Sequence, residues 1–403
     1  MRVVLLVDYA HVNGGVARVA IDSALGLRAR GVSVDYVCAV GPVDPRLTNA
    51  GVRVHLTDQP DAQSATPHAF GPQWLWNGAA RRLATAVLAD CDPRETIVHV
   101  HGWAKALSPA IGRALGGFAV VHTLHDYYLA CPNGGFYDYQ AQVICTRAPL
   151  SPACLRTQCD TRTHAHKLAR AARFALMRRV SGLLARAPHI ILISAMQRAI
   201  VAPHLPAATS FYRLDNPIDV AAAPFETDRT DDFLFVGRLA PEKGPRLFAE
   251  AARRAGVRAA FVGDGPLAAT LAQAYPEARF HGWLTADETR AQMRRARALV
   301  FPSLWYEGQP LAVHEALACG APVIVAQDCA GREAVVHGAN GLWFATGAVH
   351  ALAGALTELK DASRAHAMGA EAYRRYWAQP LTRDRHCAEL HAIYRAVRDA
   401  AVA

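Results

Sequence analysis

Short apolar runs alternating with stretches of helical periodicity restrict the fold of this chain more than any other feature. In the first half, residues 3–7, 32–38, 97–100, 119–123 and 189–193 read as strands, several of them apolar on both faces. Residues 15–30 carry apolar positions at helical spacing and run into Gly31, a good helix stop. Strands that are apolar on both faces and separated by helices imply a parallel sheet covered on both sides. The pattern restarts after Asn216-Pro217-Ile218-Asp219 and a soft Ala/Pro-rich stretch, with residues 233–236, 259–262, 298–301 and 322–325 as strands of a second such sheet. The expected fold class is therefore α/β, two Rossmann-like doubly wound parallel-sheet domains facing each other across a cleft, with ligands at the carboxyl ends of the strands. A length of 403 residues suits two domains better than one core. The expected division is 1–218, 219–380 and a final helical segment 381–403 that returns to brace the first domain, with a hinge near 216–232.

Composition narrows the partners. The formal net charge of +9 calls for something anionic: nucleic acid, a membrane surface or a phosphorylated small molecule. Zinc-finger spacing and an aromatic-basic RNA-binding signature are both missing from the sequence, which argues against nucleic acid. No run approaches the roughly 20 apolar residues of a spanning helix, and residues 1–8 read as a buried strand and not a signal peptide. The expectation is a cytoplasmic protein whose nine cysteines stay as thiols unless a metal holds them.

The most informative stretch runs from Ala298 to Ala326. A strand leads into Trp305-Tyr306-Glu307-Gly308-Gln309-Pro310, then Leu311 to Cys319, Gly320 and a further strand. Pro310 suits the first helical position and Gly320 the residue after the last, so a helix is bracketed here. Its amino end offers unpaired backbone N–H groups and a partial positive charge, an anion site suited to a diphosphate. Glu307 precedes this helix, and Glu315 lies about five residues into it, roughly 7 to 8 Å along the axis. Two carboxylates so placed can accept hydrogen bonds from hydroxyls at opposite ends of a nucleotide-sugar. A second cluster is Gly237-Arg238-Leu239-Ala240-Pro241-Glu242-Lys243-Gly244. Gly237 ends a strand without a side chain to block a ligand, while Arg238 supplies a planar fork and Lys243 a point charge for a pyrophosphate leaving group. Gly263-Asp264-Gly265-Pro266 reads most simply as a tight turn.

In the first half, Asn13-Gly14-Gly15 follows the opening strand and precedes a helix, so backbone there can approach a phosphate or sugar. Asp35, about 20 residues on, imitates the ribose-binding acid of dinucleotide enzymes, but the glycine spacing is not G-x-G-x-x-G and hydride transfer is a minority reading.

Together these residues resemble the family-four glycosyltransferases of GT-B fold. The resemblance covers nearly the whole chain: Gly14-Gly15-Val16, Val98-His99-Val100-His101, Thr123-Leu124-His125-Asp126, Asn216 to Asp219, the G-R-L-x-x-x-K-G cluster and the E-x7-E frame. It implies a retaining hexosyltransferase that uses a nucleotide-sugar as co-substrate, commonly without a metal, and the lack of a persuasive D-x-D agrees. By position it implies that Arg238 and Lys243 hold the donor diphosphate and that Glu315 binds the ribose. Glu307 would contact the transferred sugar, with Gly308, Gln309, Pro310 and Leu311 along the sugar and phosphate. His125 matches the cleft histidine near the reacting sugar, and Gly14 and Gly15 match the loop closing over phosphate or acceptor. For His125 two readings stay open, a group polarising an acceptor hydroxyl and a hydrogen-bonded histidine that ends a strand. The acceptor implied is a glycan or lipid-linked sugar in cell-surface polysaccharide or glycoconjugate assembly.

Two features depart from the family pattern. Gln309 stands where relatives often carry an apolar residue, and residues 131–162 form a Cys-rich insert assigned to the first domain. Its Cys131, Cys145, Cys154 and Cys159 admit a structural zinc or an iron–sulfur cluster, or plain packing or a redox-sensitive loop, no C-x-x-C pair being present. Residues 163–186 read as one basic amphipathic helix that either rests on anionic lipid at the cytoplasmic face of the membrane or packs with a cationic outer face. The rival functions are a nucleotide-sugar epimerase of the same fold and a metal- or redox-binding regulator using the cysteines. A phosphorylase would need a lysine-held pyridoxal cofactor, for which the residues make no case.

Overall fold

The computed structural model describes residues 1–60, 67–226 and 229–402, so part of the soft stretch before Asp232, residues 227–228, and the final residue 403 lie outside it. The chain divides into two compact units. One comprises Met1–Gly135, Arg147–Pro217 and Leu381–Ala403, the other Phe136–Thr146 and Ile218–Pro380.

In the first unit the strands are β1 (Arg2–Tyr9), β2 (Ser33–Val40), β3 (Arg53–Leu56), β4 (Thr96–Val100) and β5 (Ala119–Leu124). A small antiparallel hairpin of β6 (Tyr137–Asp138) and β7 (Val143–Ile144) then groups with the second unit, and β8 (His189–Leu192) and β9 (Ser210–Arg213) complete the first sheet. The sheet order is β3-β2-β1-β4-β5-β8-β9, and every pairing is parallel. Val3 pairs with Val34 on one side and with Ile97 on the other, which places β1 at the centre. The second unit carries β10 (Asp232–Val236), β11 (Arg258–Val262), β12 (Arg279–Phe280), β13 (Ala298–Phe301), β14 (Val323–Ala326) and β15 (Gly341–Phe344) in the order β12-β11-β10-β13-β14-β15, again all parallel. Both are doubly wound sheets, each with its order reversing beside its first strand.

The strands of the two parallel sheets absent from the sequence reading, β3, β9, β12 and β15, lie at sheet edges and are short; β3, β9 and β12 also carry exposed or half-buried residues, so they lack the continuous apolar signature of a central strand. The inserted cysteine-rich stretch does not stay together: residues 136–146, with the buried Tyr137, group with the second unit, while residues on either side belong to the first. The helix expected over 163–186 is also interrupted. It runs as His164–Leu176, passes through a π-helical turn at Met177–Ser181, and breaks at Gly182, whose left-handed backbone precedes Leu183–Arg186. Its cations are largely turned inward. Lys167 and Arg173 are buried, Arg170 pairs with Asp160, and Arg186 donates to the carbonyl oxygens of Gly112 and Ser181, while Leu168 is exposed. Among the described residues no helix is long and apolar enough to cross a membrane.

The closing helix, Arg383–Val402, packs on the helix Gly15–Ala29 within the first unit. Leu390, Tyr394 and Val397 are fully buried in the core that also holds Val3, Leu5 and Tyr36. Gly26 makes that approach possible, because a Cβ there would collide with the Cys387 thiol. In an isolated helix Gly26→Ala would gain about 1 kcal/mol of helix propensity. Here Cys387 is completely buried and has nowhere to retreat, so overpacking wins. The expected result is a net loss on the order of 1–3 kcal/mol, checked by chemical denaturation.

Each sheet also ends in a carboxylate clamped by arginines at the amino ends of its strands. Asp35 accepts from Arg2, Arg53 and His55, and Asp232 pairs with Arg258 and Arg279. Burial pushes the Asp35 carboxyl up, but Arg53, Arg2 and His55 overcome it and hold it well below the usual carboxylate range. This corrects the ribose reading of Asp35. It is the third residue of β2, at the end away from any ligand, and all of its capacity is used internally.

Candidate active site

The second unit gathers its chemistry where β10 and β13 end side by side, the point at which the strand order reverses. Gly237-Arg238 leave β10, and Pro302 to Pro310 leave β13. Gly244 locks the two segments together: its left-handed backbone (φ +70°) favours glycine, and a Cβ would strike the Pro302 carbonyl oxygen. Gly263 plays the same part on the other side, because a Cβ there would strike the Gly237 carbonyl oxygen. The Gly263 to Pro266 segment is thus a backbone buttress for Gly237 as well as a turn, and Leu239 N–H donates to the Asp264 carbonyl at 2.9 Å.

Lys243 and Glu307 meet there. The ammonium donates to Glu307 Oε1 at 2.7 Å, and the same oxygen accepts from Ser303 Oγ at 2.7 Å and from Trp305 Nε1 at 2.8 Å. Three donors on one oxygen of a buried carboxylate hold it in one orientation. Lys243 Nζ also lies 5.3 Å from the centroid of the Trp305 ring. Arg238 takes a different partner, the buried Glu242, and most of its side chain remains exposed. The Glu242 backbone carbonyl in turn accepts from Leu304 N–H at 2.8 Å, tying the basic turn to the Glu307 loop.

The helix after this loop runs Leu311–Ala318, with Pro310 as its N-cap and Gly320 left-handed (φ +73°) just past its end. Pro310 is therefore one position outside the helix, correcting its expected place at the first helical residue. Its ring cannot cap, so the N-cap position supplies no side-chain hydrogen bond to the helix start, and the positive end of the helix dipole follows directly on the Glu307 loop. Glu315 sits in the second turn, half-buried, and Gln309 Nε2 lies 3.4 Å from His314 Nε2. The sequence reading assigns no role to Ser303, Trp305 or Glu242. The only linear signal for the first two is the alternation Ser303-x-Trp305-x-Glu307, which turns one edge of an extended loop toward Glu307.

The first unit has its own cluster at the carboxyl ends of β4 and β5. His101 follows β4, and His125 follows β5. His101 Nδ1 and His125 Nε2 are 3.0 Å apart, and behind them the His99 ring lies 3.9 Å from that of His101. His99 is held at both nitrogens, by Tyr394 OH at 2.6 Å and Thr123 Oγ1 at 2.7 Å. Burial lowers the pKa of His125 to about 3 and those of His99 and His101 well below the usual imidazole range. Asp126, beside it, accepts from Tyr128 N–H, and burial raises its carboxyl to about 6. Asp8, at the end of β1, accepts from the backbone N–H groups of Lys105, Ala106 and Leu107 and so shapes the loop after β4. Gly14 and Gly15 are exposed at the start of the helix Gly15–Ala29, and a Cβ on either would meet nothing within 4 Å.

The cysteines do not form one metal-binding set. Cys131, Cys154 and Cys159 belong to the first unit, whereas Cys145 lies on the hairpin grouped with the second. Lys167 Nζ, buried, donates to Cys159 Sγ at 3.0 Å and Cys154 Sγ at 3.4 Å. Among the described residues no group of three or more His, Cys, Asp or Glu is arranged to hold a metal, and none of the nine cysteines is in a disulfide. The described arrangement therefore lends no support to the zinc or iron–sulfur reading or to the regulator built on it.

Comparison with known proteins agrees with this layout. The model for Glycosyltransferase Family 4 matches residues 13–222, and that for Glycosyl transferases group 1 matches residues 230–361. A GDP-mannose-dependent alpha-mannosyltransferase of Corynebacterium glutamicum is 35% identical over 108 residues, 27% of this chain, and the match spans about a quarter of that relative's length (26%). Among solved structures, HepE of Anabaena in complex with UDP superposes with a TM-score of 0.61 at 18% identity, covering 98% of this chain and 100% of that one. Sucrose-phosphate synthase of Thermosynechococcus elongatus gives 0.69 at 19%, covering 99% of each. TarM of S. aureus, solved with Fondaparinux, alpha-GlcNAc-glycerol and UDP, gives 0.66 at 10%, covering 98% of this chain and 99% of that one. At these identities the structural likeness speaks for the fold. The family model covers more than half of the sequence, and on that footing the chain belongs to glycosyltransferase family 4 and is a glycosyltransferase of GT-B architecture.

Proposed function

We propose that this protein transfers a hexose from a nucleoside diphosphate donor to a glycan or lipid-linked acceptor with retention of anomeric configuration. The observation that carries the reading is the Lys243–Glu307 pair beside the uncapped helix start at Leu311. Breaking the bond from sugar to diphosphate leaves positive charge on the sugar ring and adds negative charge to the phosphate. Lys243, Arg238 and the helix amino end supply stabilisation for the phosphate, and Glu307 supplies a fixed acceptor for sugar hydroxyls. Glu315, one turn further along, is assigned the ribose, and Gly308, Gln309, Pro310 and Leu311 line the path between. The leaving phosphate oxygen takes the proton of the acceptor hydroxyl on the same face, so no side-chain base is required. Gly237 leaves room for the diphosphate, and Gly14 and Gly15 leave room for acceptor or phosphate. No cofactor beyond the nucleotide-sugar enters this scheme.

Nine cysteines with no disulfide among them fit a reducing compartment, which supports a cytoplasmic site of action. The acceptor class places the enzyme in cell-surface polysaccharide or glycoconjugate assembly. Peripheral contact with anionic membrane would rest on the outward cations of the segment His164–Arg186, chiefly Arg178 and Arg179, since Lys167 and Arg173 are turned inward.

The direct test is thermal stabilisation by nucleotide sugars, with GDP-mannose and UDP-glucose first. At 100 times Kd a ligand that binds only the folded state adds about 2.7 kcal/mol. A rise of a few degrees with one donor, and its loss in Glu315→Ala, is expected. No rise with any donor overturns the proposal.

A further inference from the structure

We infer that His101 is a positioning residue that fixes the tautomer of His125, so that His125 offers an N–H, not a lone pair, to the reacting ligand. The inference rests on the reading of His125 as the ligand-facing histidine of the transfer reaction. The rings share one proton between His101 Nδ1 and His125 Nε2, which are 3.0 Å apart. Which ring owns it follows from the other nitrogen of His101. That Nε2 is buried and has no hydrogen-bond partner. If His125 Nε2–H donated to His101 Nδ1, a neutral His101 would carry its own proton on Nε2, leaving a buried N–H unpaired, an arrangement native proteins rarely tolerate. If His101 Nδ1–H donates instead, Nε2 is only a bare lone pair. The second arrangement is the one this site accepts.

Its consequence falls on His125. With Nε2 occupied as an acceptor, the one proton of a neutral imidazole resides on Nδ1. That nitrogen has no partner among the described residues, and the side chain is partly exposed. A ring with one nitrogen accepting and the other protonated has no lone pair left to act as a base. His125 therefore contacts an oxygen that accepts a hydrogen bond, a sugar hydroxyl or a phosphate oxygen, and does not deprotonate the acceptor. The orientation is enforced from behind: the His101 backbone N–H is anchored to the Leu6 carbonyl at 3.0 Å, and its ring lies against that of His99, centroids 3.9 Å apart and tilted by 37°. His99 in turn is tied to Tyr394 of the closing helix.

Nitrogen-15 NMR of histidine-labelled full-length protein reads the tautomer directly, with His125 assigned by the signal lost in His125→Gln. The expected state is Nδ1–H on His125 in the wild type and in His101→Asn, whose amide N–H replaces the donor. In His101→Leu the proton moves to Nε2, and kcat/KM falls about tenfold while the melting temperature holds; His101→Asn restores most of that rate. A wild-type His125 protonated on Nε2 overturns the inference, as does a His101→Leu protein with unchanged tautomer and rate. The wild-type spectrum decides even where the leucine variant does not fold. It also needs no turnover, so a protein inactive with every donor would sink the transfer reading while the tautomer was still measured.

Discussion

Lys243→Ala is expected to lower kcat/KM for the nucleotide-sugar by about 10² to 10³-fold, equivalent to roughly 3–4 kcal/mol of transition-state stabilisation. The lysine provides charge where the diphosphate leaves, and its Nζ is already within 2.7 Å of Glu307, so nothing must reorganise when the phosphate gains charge. The same substitution strips a cation from a buried carboxylate. Removing one partner of a buried pair commonly costs 3–5 kcal/mol. Glu307 Oε1 keeps Ser303 and Trp305 as donors, so the stability loss should be nearer 1–3 kcal/mol and the protein should still fold. The two effects separate in a double variant. Lys243→Ala with Glu307→Gln removes the unpaired charge and should recover stability without recovering activity. Steady-state kinetics and denaturation of the wild type and both variants check this, and wild-type turnover in Lys243→Ala would remove the basis of the proposed mechanism.

Mild acid is expected to destabilise the protein, with the buried histidines outweighing the opposite contribution of Asp126, whose carboxyl burial raises to about 6. His99, His101, His122 and His125 all lie in the first unit, and burial keeps each neutral, with His122 and His125 lowered to about 3. In the unfolded chain the same side chains titrate near 6.5. Below that pH the unfolded state binds protons that the folded state refuses, so stability falls as pH falls. Each contributes up to about 1 kcal/mol per pH unit, and together they produce a loss of several kcal/mol between pH 6.5 and 5. The Asp35 cluster acts in a separate window. Its folded carboxyl is held low, so its contribution is complete above about pH 4 and disappears only in stronger acid. Melting curves at pH 7.5, 6.5 and 5.5 should fall progressively, with proton uptake on unfolding by calorimetry. A constant melting temperature over that range would contradict the neutral-histidine core. By the same sign, rate profiles should lack a limb near pH 6.5 from His125.

Much of the candidate site was legible because loops at strand ends carry their chemistry in consecutive residues. Gly237 to Gly244 and Glu307 to Glu315 each fall within one strand-loop-helix passage, so spacing alone indicated an anion site between carboxylates. What stayed hidden were partners separated along the chain. Lys243 and Glu307 are 64 positions apart, and nothing in either segment signals their ion pair. His101 and His125 end adjacent strands, yet only the sheet order places them within hydrogen-bond distance. In the cysteine insert too, sequence neighbours divide: Cys145 lies on a hairpin grouped with the second unit, and a lysine thirteen residues beyond Cys154 donates to two thiols of the first.

The amino-acid sequence by itself determined the two parallel sheets, the helix bracketed near Pro310 and Gly320, and the family, because apolar periodicity and turn chemistry are local properties that survive without knowledge of neighbours. Tertiary structure alone decided which charges are spent on one another. Asp35 is consumed by two arginines and a histidine, Arg173 is buried between Trp74 and Trp103, and Glu307 is held by three donors on one oxygen. Desolvation and hydrogen bonding set the chemistry of an ionisable group, and both depend on what packs around it in space.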